Sequence, residues 1–196
     1  MNETKRLPVG CVVMAAGNAA RFGENKLASV LDGKTMIERA LEAVPTDELD
    51  RVCVVTQYAE VEALARRFGF LCLRNDRPEE GVSRTVRLGT EALGPHCRAI
   101  IYQVADQPFL RRESVAALAR AWRAAPECIV GLAHGGVRGH PCVFPERFFP
   151  ELCALTGDRG GSAVIRRHAE ALRLIEVDAR ELLDVDTAEE LRKLNG

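Results

Sequence analysis

The chain lacks three features that would assign it to a broad class at once: an excess of one charge, a long apolar run, and paired cysteines. Lys and Arg total 27 against 28 for Asp and Glu in 196 residues, for a net charge of −1. That balance argues against a general binder of nucleic acid or of membrane surfaces, although it leaves room for a local cationic pocket. No apolar stretch approaches the roughly 20 residues of a membrane span. The opening MNETKRLPVG has charges but no signal-type core after it, and the run VGCVVMAAG is short and ends in glycine. A cytoplasmic protein is therefore expected, with no nucleic-acid and no membrane partner. The seven cysteines are odd in number and widely spaced, with no CxxC, and the four histidines show no HExxH. Buried free thiols in a reducing compartment are expected, and neither a catalytic cysteine nor a metal cluster of these residues has support. Internal repeats, low-complexity tracts and linkers are absent too.

What is present is an alternation. With 47% apolar residues the chain can bury a sizeable core, and its length suits about one domain. Apolar runs of strand length at 9–14, 51–56, 70–74, 98–104 and 128–133 alternate with helical periods at 35–44, 58–69, 86–94 and 113–125. Thr35 and Glu38 form a capping-box pattern at the first helix. This rhythm predicts an α/β fold with a mostly parallel sheet buried on both faces. After residue 133 the rhythm changes: GGVRGHPCVFP predicts a turn and a return strand, followed by two short helices, a strand at 172–177 and a closing helix at 187–195 with Thr187 and Glu190 as capping box. In such sheets ligands bind at the carboxyl ends of the strands. The loops after residues 14, 56, 74 and 104 are therefore where function is expected.

The first of these loops is MAAGNAARFGENKL. It is neither a Walker loop nor GxGxxG, yet its physics is that of phosphate capture. Ala15, Ala16 and Gly17 have little or no side chain, so a ligand can touch the backbone and its N–H groups. Arg21 can fork onto phosphate oxygens, and Lys26 supplies a compact charge where negative charge builds up. The competing reading is a glycine-rich surface loop with two solvated cations.

Five further segments carry candidate chemistry; in one of them, LTGDRGGSAVIRRH, Arg159, Arg166 or Arg167 either contacts phosphate or is a solvated helix-face arginine. In VADQPFL, Asp106 stands alone at the end of an apolar strand; it suits Mg2+, which takes one or two carboxylates plus phosphate oxygens, or it is a turn residue before proline. In RNDRPEEGVSRT, Gly81 and Ser83 precede a helix, either to present N–H groups and a hydroxyl to a ligand or as ordinary capping. There Arg84 either reaches an anionic ligand or faces solvent, and Asn75 alone reads as a turn residue. In RGHPCVFP, Gly139 allows close approach, Pro141 stiffens the turn, and His140 is either a substrate contact or a structural turn histidine. In LLDVDTAEEL, Asp184 and Asp186 alternate along one strand face, and Asp186 either joins Asp106 on the metal or serves the last helix.

Taken in order, AAG-x3-R-x-G-x2-K, GxS, DQP, GHP, GD and DVDT over residues 12 to 194 resemble the nucleotidyltransferases of Rossmann-like fold. The short Gly23-to-Lys26 spacing, followed by Leu27, is most similar to the molybdenum cofactor branch. The resemblance implies a three-layer Rossmann-like fold, mostly parallel with an antiparallel strand in the second half. It implies one nucleotidyltransferase domain over 1–196, with a nucleotide-binding half at about 9–110 and an acceptor-binding half at about 111–196. Arg21, Lys26 and Asp106 would be catalytic, and Asp106 with Asp186 would hold Mg2+, with Mn2+ as the other choice. Ala15, Ala16, Gly17, Asn75, Gly81 and Ser83 would bind the nucleotide, and Gly139, His140 and Pro141 would meet the acceptor. Val82, Arg84, Thr85 and Ala188 depart from the family pattern.

Ala15-Ala16-Gly17 resembles the cytidylyl branch, whereas the guanylyl branch more often has Ala-Gly-Gly there. The implied activity is transfer of CMP from CTP to molybdopterin, with a molybdenum hydroxylase or its maturation factor as a further partner. A guanylyltransferase, a transferase acting on another small phosphate, and a non-catalytic cofactor-binding accessory protein stay open.

Overall fold

Val9–Ala15 forms the first strand, β1, in which every residue but Met14 is buried. A run of small and β-branched apolar residues with no polar alternation suits a strand covered on both faces. In the computed structural model, which describes residues 6–17 and 25–194, the side chains of β1 divide by parity. Val9, Cys11, Val13 and Ala15 join one hydrophobic core, and Val12 joins another.

Two minimal strands follow, β2 (Val30–Leu31) and β3 (Lys34–Thr35), paired antiparallel about Asp32 and Gly33 at φ 48° and 80°. Then come α1 (Met36–Glu42), β4 (Arg51–Thr56), α2 (Ala59–Arg67), β5 (Leu71–Arg74), α3 (Val82–Leu93), β6 (Ala99–Val104) and α4 (Arg112–Ala124). The second half adds β7 (Ile129–His134), β8 (Val137–Pro145), α5 (Phe149–Cys153), α6 (Ser162–Arg167), β9 (Leu172–Glu176) and α7 (Ala188–Leu194). Seven strands form one sheet in the order β5-β4-β1-β6-β8-β7-β9. β8 alone runs antiparallel to its neighbours β6 and β7. One core packs α1, α2 and α4 on one face, and the other packs α3, α5 and α6 on the opposite face. The expected three-layer α/β architecture is thus observed.

Both capping boxes form. Thr35 Oγ1 accepts from Glu38 N at 3.2 Å while Glu38 accepts from Thr35 N at 2.8 Å. Thr187 Oγ1 accepts from Glu190 N at 3.1 Å while Glu190 accepts from Thr187 N at 2.9 Å. Where expectation and structure differ, the cause is local. α3 starts at Val82 rather than 86, because Gly81 at φ 83° ends the preceding loop and Ser83, Arg84 and Thr85 are buried instead of solvated. The turn expected within GGVRGHP is made by Gly135 and Gly136, and His140 and Pro141 lie inside β8. Pro141 is tolerated there because β8 pairs with β6 only from Cys142 onward and its pairing with β7 shifts register between Cys142 and Arg138, so neither ladder needs its missing N–H. Asp184 and Asp186 lie on an extended segment that belongs to no strand.

A third, small core positions that segment. Val185 is fully buried against Leu31, Met36 and Leu191, a burial that contributes about 1.5–3 kcal/mol. Val185 N also donates to Asp106 O at 3.0 Å. The seven cysteines are free thiols. Among the described residues no helix is long and apolar enough to cross a membrane.

Candidate active site

β1, β4 and β6 end together, with Ala15 opposite Thr56 and Met14 opposite Val104. The three carbonyls that follow are held one after another from the β4 side. Thr56 Oγ1 donates to Ala15 O at 3.0 Å, Gln57 Nε2 to Ala16 O at 3.0 Å, and Tyr58 OH to Gly17 O at 2.9 Å. This segment lines a cavity of about 460 Å³ together with Lys26, Gly81 and Asp106. Among the described residues, a Cβ added at Gly17 would meet no atom within 4 Å. Arg21 lies outside the described residues.

Lys26 is presented by a single 3-10 turn, Lys26–Ala28, capped by Asn25 and anchored by buried Leu27. Its ammonium donates to Asp106 Oδ2 at 2.7 Å, to Asp186 Oδ1 at 3.0 Å and to Val185 O at 3.3 Å. Burial alone would lower the Lys26 pKa, but Asp106 and Asp186 outweigh it and raise it. Asp184 is tied into the same corner by Gln107 Nε2 at 2.9 Å. Partial burial, followed by the Asp106 charge, pushes the Asp184 carboxyl up.

Asp106 and Asp186 thus both face one cationic atom, and two carboxylates completed by phosphate oxygens and water are a donor set that Mg2+ accepts. Among the described residues no group of three or more His, Cys, Asp or Glu side chains is placed to hold a metal ion. A metal here would take its remaining ligands from substrate and water.

The opposite wall of the cavity comes from the loop between β5 and α3. A Cβ on Gly81 would lie 2.5 Å from Gly157 C and 2.6 Å from Asp158 Oδ1, so glycine is required where these two loops cross. Ser83 caps nothing: its hydroxyl donates to Glu80 O at 3.3 Å and its N–H to Gly157 O at 3.1 Å. Arg84 neither reaches into the cavity nor faces solvent. Its side chain is 9% exposed, pairs with Asp76 and Glu80, and donates from Nε to Asn75 Oδ1 at 2.9 Å. Asn75 is buried behind the wall, where Nδ2 donates to Thr85 Oγ1 at 3.3 Å, and Thr85 lines the cavity.

A second cavity, of about 310 Å³, adjoins the first and shares Met14, Val82, Val104 and Asp158 with it. Its floor is apolar and includes Tyr102 and Phe144, packed edge to face with centroids 5.7 Å apart. Arg138, Arg159 and Arg166 line it as cations. His140 lines it too, with Nδ1 buried and, among the described residues, without a hydrogen-bond partner. Burial, then the Arg138 charge, lowers the His140 pKa against a smaller pull from Asp106, so the ring is neutral at neutral pH. Gly139 packs against Leu182, whose nearest atom would lie 3.0 Å from an added Cβ.

The structure therefore brings Lys26, Asp106 and Asp186 into one cluster, Ala15 to Gly17 and Gly81 onto the first cavity, and His140 into the second. Asn75, Ser83, Gly139 and Pro141 line neither. Sequence reasoning does not single out Gln107, Glu79 or Arg138, and it names Thr85 only as a departure from the family pattern. Gln107 sits inside the DQP motif that drew attention to Asp106, and that adjacency was the available signal.

The model of the MobA-like NTP transferase domain matches residues 11–172. The purine catabolism protein PucB of Bacillus subtilis (strain 168) is 30% identical over 194 residues, covering 91% of this chain and 92% of that protein. Among solved structures, a nucleotidyl transferase from Methanothermobacter thermautotroptrophicus, Mth528, superposes with TM-score 0.81 at 20% identity over 96% of both chains. Rv0371c from Mycobacterium tuberculosis H37Rv gives 0.80 at 22% identity over 98% of this chain and 99% of that one. A manganese complex of Rv0371c gives 0.77 at 22% identity over 96% and 98%. With a family model spanning most of its length and a nucleotide-sized cavity at the strand ends, the chain belongs to the MobA-like NTP transferase family and is a nucleotidyltransferase.

Proposed function

We propose that the chain transfers CMP from CTP to the phosphate of molybdopterin carrying molybdenum, forming the cytosine dinucleotide and pyrophosphate. The observation that carries the transfer chemistry is the Lys26–Asp106–Asp186 cluster on the cavity lined by Ala15 to Gly17. An oxygen of the acceptor phosphate attacks the α-phosphorus in line. As that P–O bond forms, the bond from the α-phosphorus to the bridging oxygen breaks and pyrophosphate leaves. The attacking phosphate is already ionised, so no general base is needed. Catalysis is then positioning plus charge neutralisation, and positioning of this kind can supply about 7–11 kcal/mol.

Each role falls to a named group. The backbone of Ala15, Ala16 and Gly17, with Gly81, receives the nucleotide. Asp106 and Asp186 hold Mg2+ or Mn2+, which when bound neutralises phosphate charge. Lys26, drawn off the two carboxylates by the arriving triphosphate, faces the leaving pyrophosphate, and Arg21 joins it there. His140 and Arg138 meet the acceptor in the second cavity, whose apolar, aromatic floor and cationic rim suit a flat, anionic heterocycle. Cytosine as the base rests on Ala15-Ala16-Gly17. The one-domain organisation, with the acceptor on the C-terminal half, belongs to the same reading.

The test is a nucleotide panel with Mg2+, reading pyrophosphate release with and without molybdopterin. Release with CTP alone among the nucleotides, and only when molybdopterin is present, supports the reading. Release with GTP makes the protein a guanylyltransferase, and binding without turnover makes it an accessory protein.

A further inference from the structure

The wall of the nucleotide cavity contains a directed chain of hydrogen bonds. Arg84 Nε donates to Asn75 Oδ1 at 2.9 Å, and the backbone N–H of Arg77 donates to the same oxygen at 3.2 Å. Neither donor can act as an acceptor, so the amide oxygen of Asn75 must face them and its NH2 must face the other way. That NH2 meets Thr85 Oγ1 at 3.3 Å. Thr85 Oγ1 is thereby an acceptor on the Asn75 side, and its own proton is left to donate. Among the described residues no group accepts that proton, whereas Thr90, one turn further along α3, gives its proton to Val86 O at 2.6 Å. Thr85 lines the nucleotide cavity, and all three members of the chain are buried.

We propose that Arg84 and Asn75 are positioning residues that fix Thr85 as a hydrogen-bond donor to the nucleotide base, at a carbonyl oxygen or ring-nitrogen lone pair. This rests on the reading of the first cavity as the nucleotide site. Arg84 is far from the reacting phosphates in function. It acts by holding one amide in one orientation, and its ion pairs with Asp76 and Glu80 hold the guanidinium in turn. A small residue at position 84 would leave only the Arg77 N–H to hold the Asn75 amide, and Thr85 would then be fixed as a donor less firmly.

Asn75→Asp inverts the polarity while keeping the shape. Its carboxylate still accepts from Arg84 and Arg77, but its second oxygen now takes the Thr85 proton, and only lone pairs face the base. The substitution also sets a full negative charge against Arg84, so the fold is retained on electrostatic grounds. KM for the preferred triphosphate should rise roughly tenfold to a hundredfold, as expected for a buried polar contact left unmade, while kcat at saturating nucleotide stays within a few-fold. Thr85→Val should raise KM similarly and Thr85→Ser should restore it. The double variant Asn75→Asp/Thr85→Val should be no worse than Thr85→Val alone, because Asn75 acts only through Thr85. Arg84→Met should raise KM by less than Asn75→Asp.

An unchanged KM in Asn75→Asp, or fully multiplicative effects in the double variant, would overturn the relay while leaving the nucleotide site standing. If the wild type binds no nucleoside triphosphate in calorimetry, the nucleotide reading itself falls and the relay falls with it.

Discussion

Lys26 Nζ lies 2.7 Å from Asp106 Oδ2 across 80 residues of chain, and the same ammonium reaches Asp186 Oδ1 at 3.0 Å. One lysine therefore fills the place between two carboxylates where a divalent cation would sit. The compact ammonium holds the two acidic side chains together, and in the proposed reaction a divalent cation and a triphosphate would release it for another task.

Lys26→Met separates those two tasks. Loss of one preorganised cation aimed at developing phosphate charge should lower kcat by about 10²–10³-fold. The two carboxylates, freed of their competitor, should bind Mn2+ more tightly without nucleotide, as read by electron paramagnetic resonance. Asp106→Asn should lose both turnover and Mn2+ binding. Circular dichroism should find both variants folded, and near-normal turnover in either would remove its assigned role.

His140 gives the protein an acid-sensitive point. Burial lowers its pKa in the fold, ahead of the repulsion from Arg138. As pH falls below about 6.5, the ordinary histidine value, the unfolded chain takes up the proton before the folded one does. Stability is then lost as pH drops from that value through the depressed folded-state value, and it is fully present above it. Urea unfolding at pH 7.5 and pH 5.0 should find a smaller loss in His140→Gln than in the wild type. Equal losses would mean that the ring is not desolvated.

At Gly89, α3 lies directly against Val12 of β1. A Cβ there would lie 2.5 and 2.6 Å from the two γ-carbons of Val12, a side chain in the middle of β1 with no room to turn. Gly89→Ala should cost about 1–3 kcal/mol through overpacking. Val12→Ala in the same chain should return part of it, so the pair should be less destabilised than the sum of its singles. Additive losses in thermal melts would place the strain elsewhere.

These residues differ in how far the sequence alone reveals them. β1, β4 and α1 follow from uninterrupted apolar runs and a capping box, which are local signals. Lys26, Asp106 and Asp186 could be picked out one by one because each departs from its apolar surroundings at a strand end or a loop. The meeting of Asp106 and Asp186 follows only from the family resemblance and not from local signals, since it depends on Val185 packing against Leu31 and Met36 and on Gln107 holding Asp184; that Lys26 lies between them is seen only in the structure. Arg84 reads as either ligand-facing or solvated because, although Glu80 lies four residues before it, its burial depends on Asn75 and Asp76 folding back toward it. The β2–β3 hairpin escaped because two-residue strands have no periodicity to detect. Ser83 read as a cap because it precedes an apolar helix, but the helix starts one residue earlier, at Val82.

The account stands on the two adjoining cavities being nucleotide and acceptor sites of one transfer reaction. The most direct measurement is pyrophosphate release by the wild-type protein with CTP, GTP, ATP and UTP in turn, each with Mg2+, with and without molybdopterin. The account predicts release with CTP only, dependent on molybdopterin and matched by formation of the cytosine dinucleotide. Release that ignores molybdopterin, or no release with any nucleotide, would contradict it.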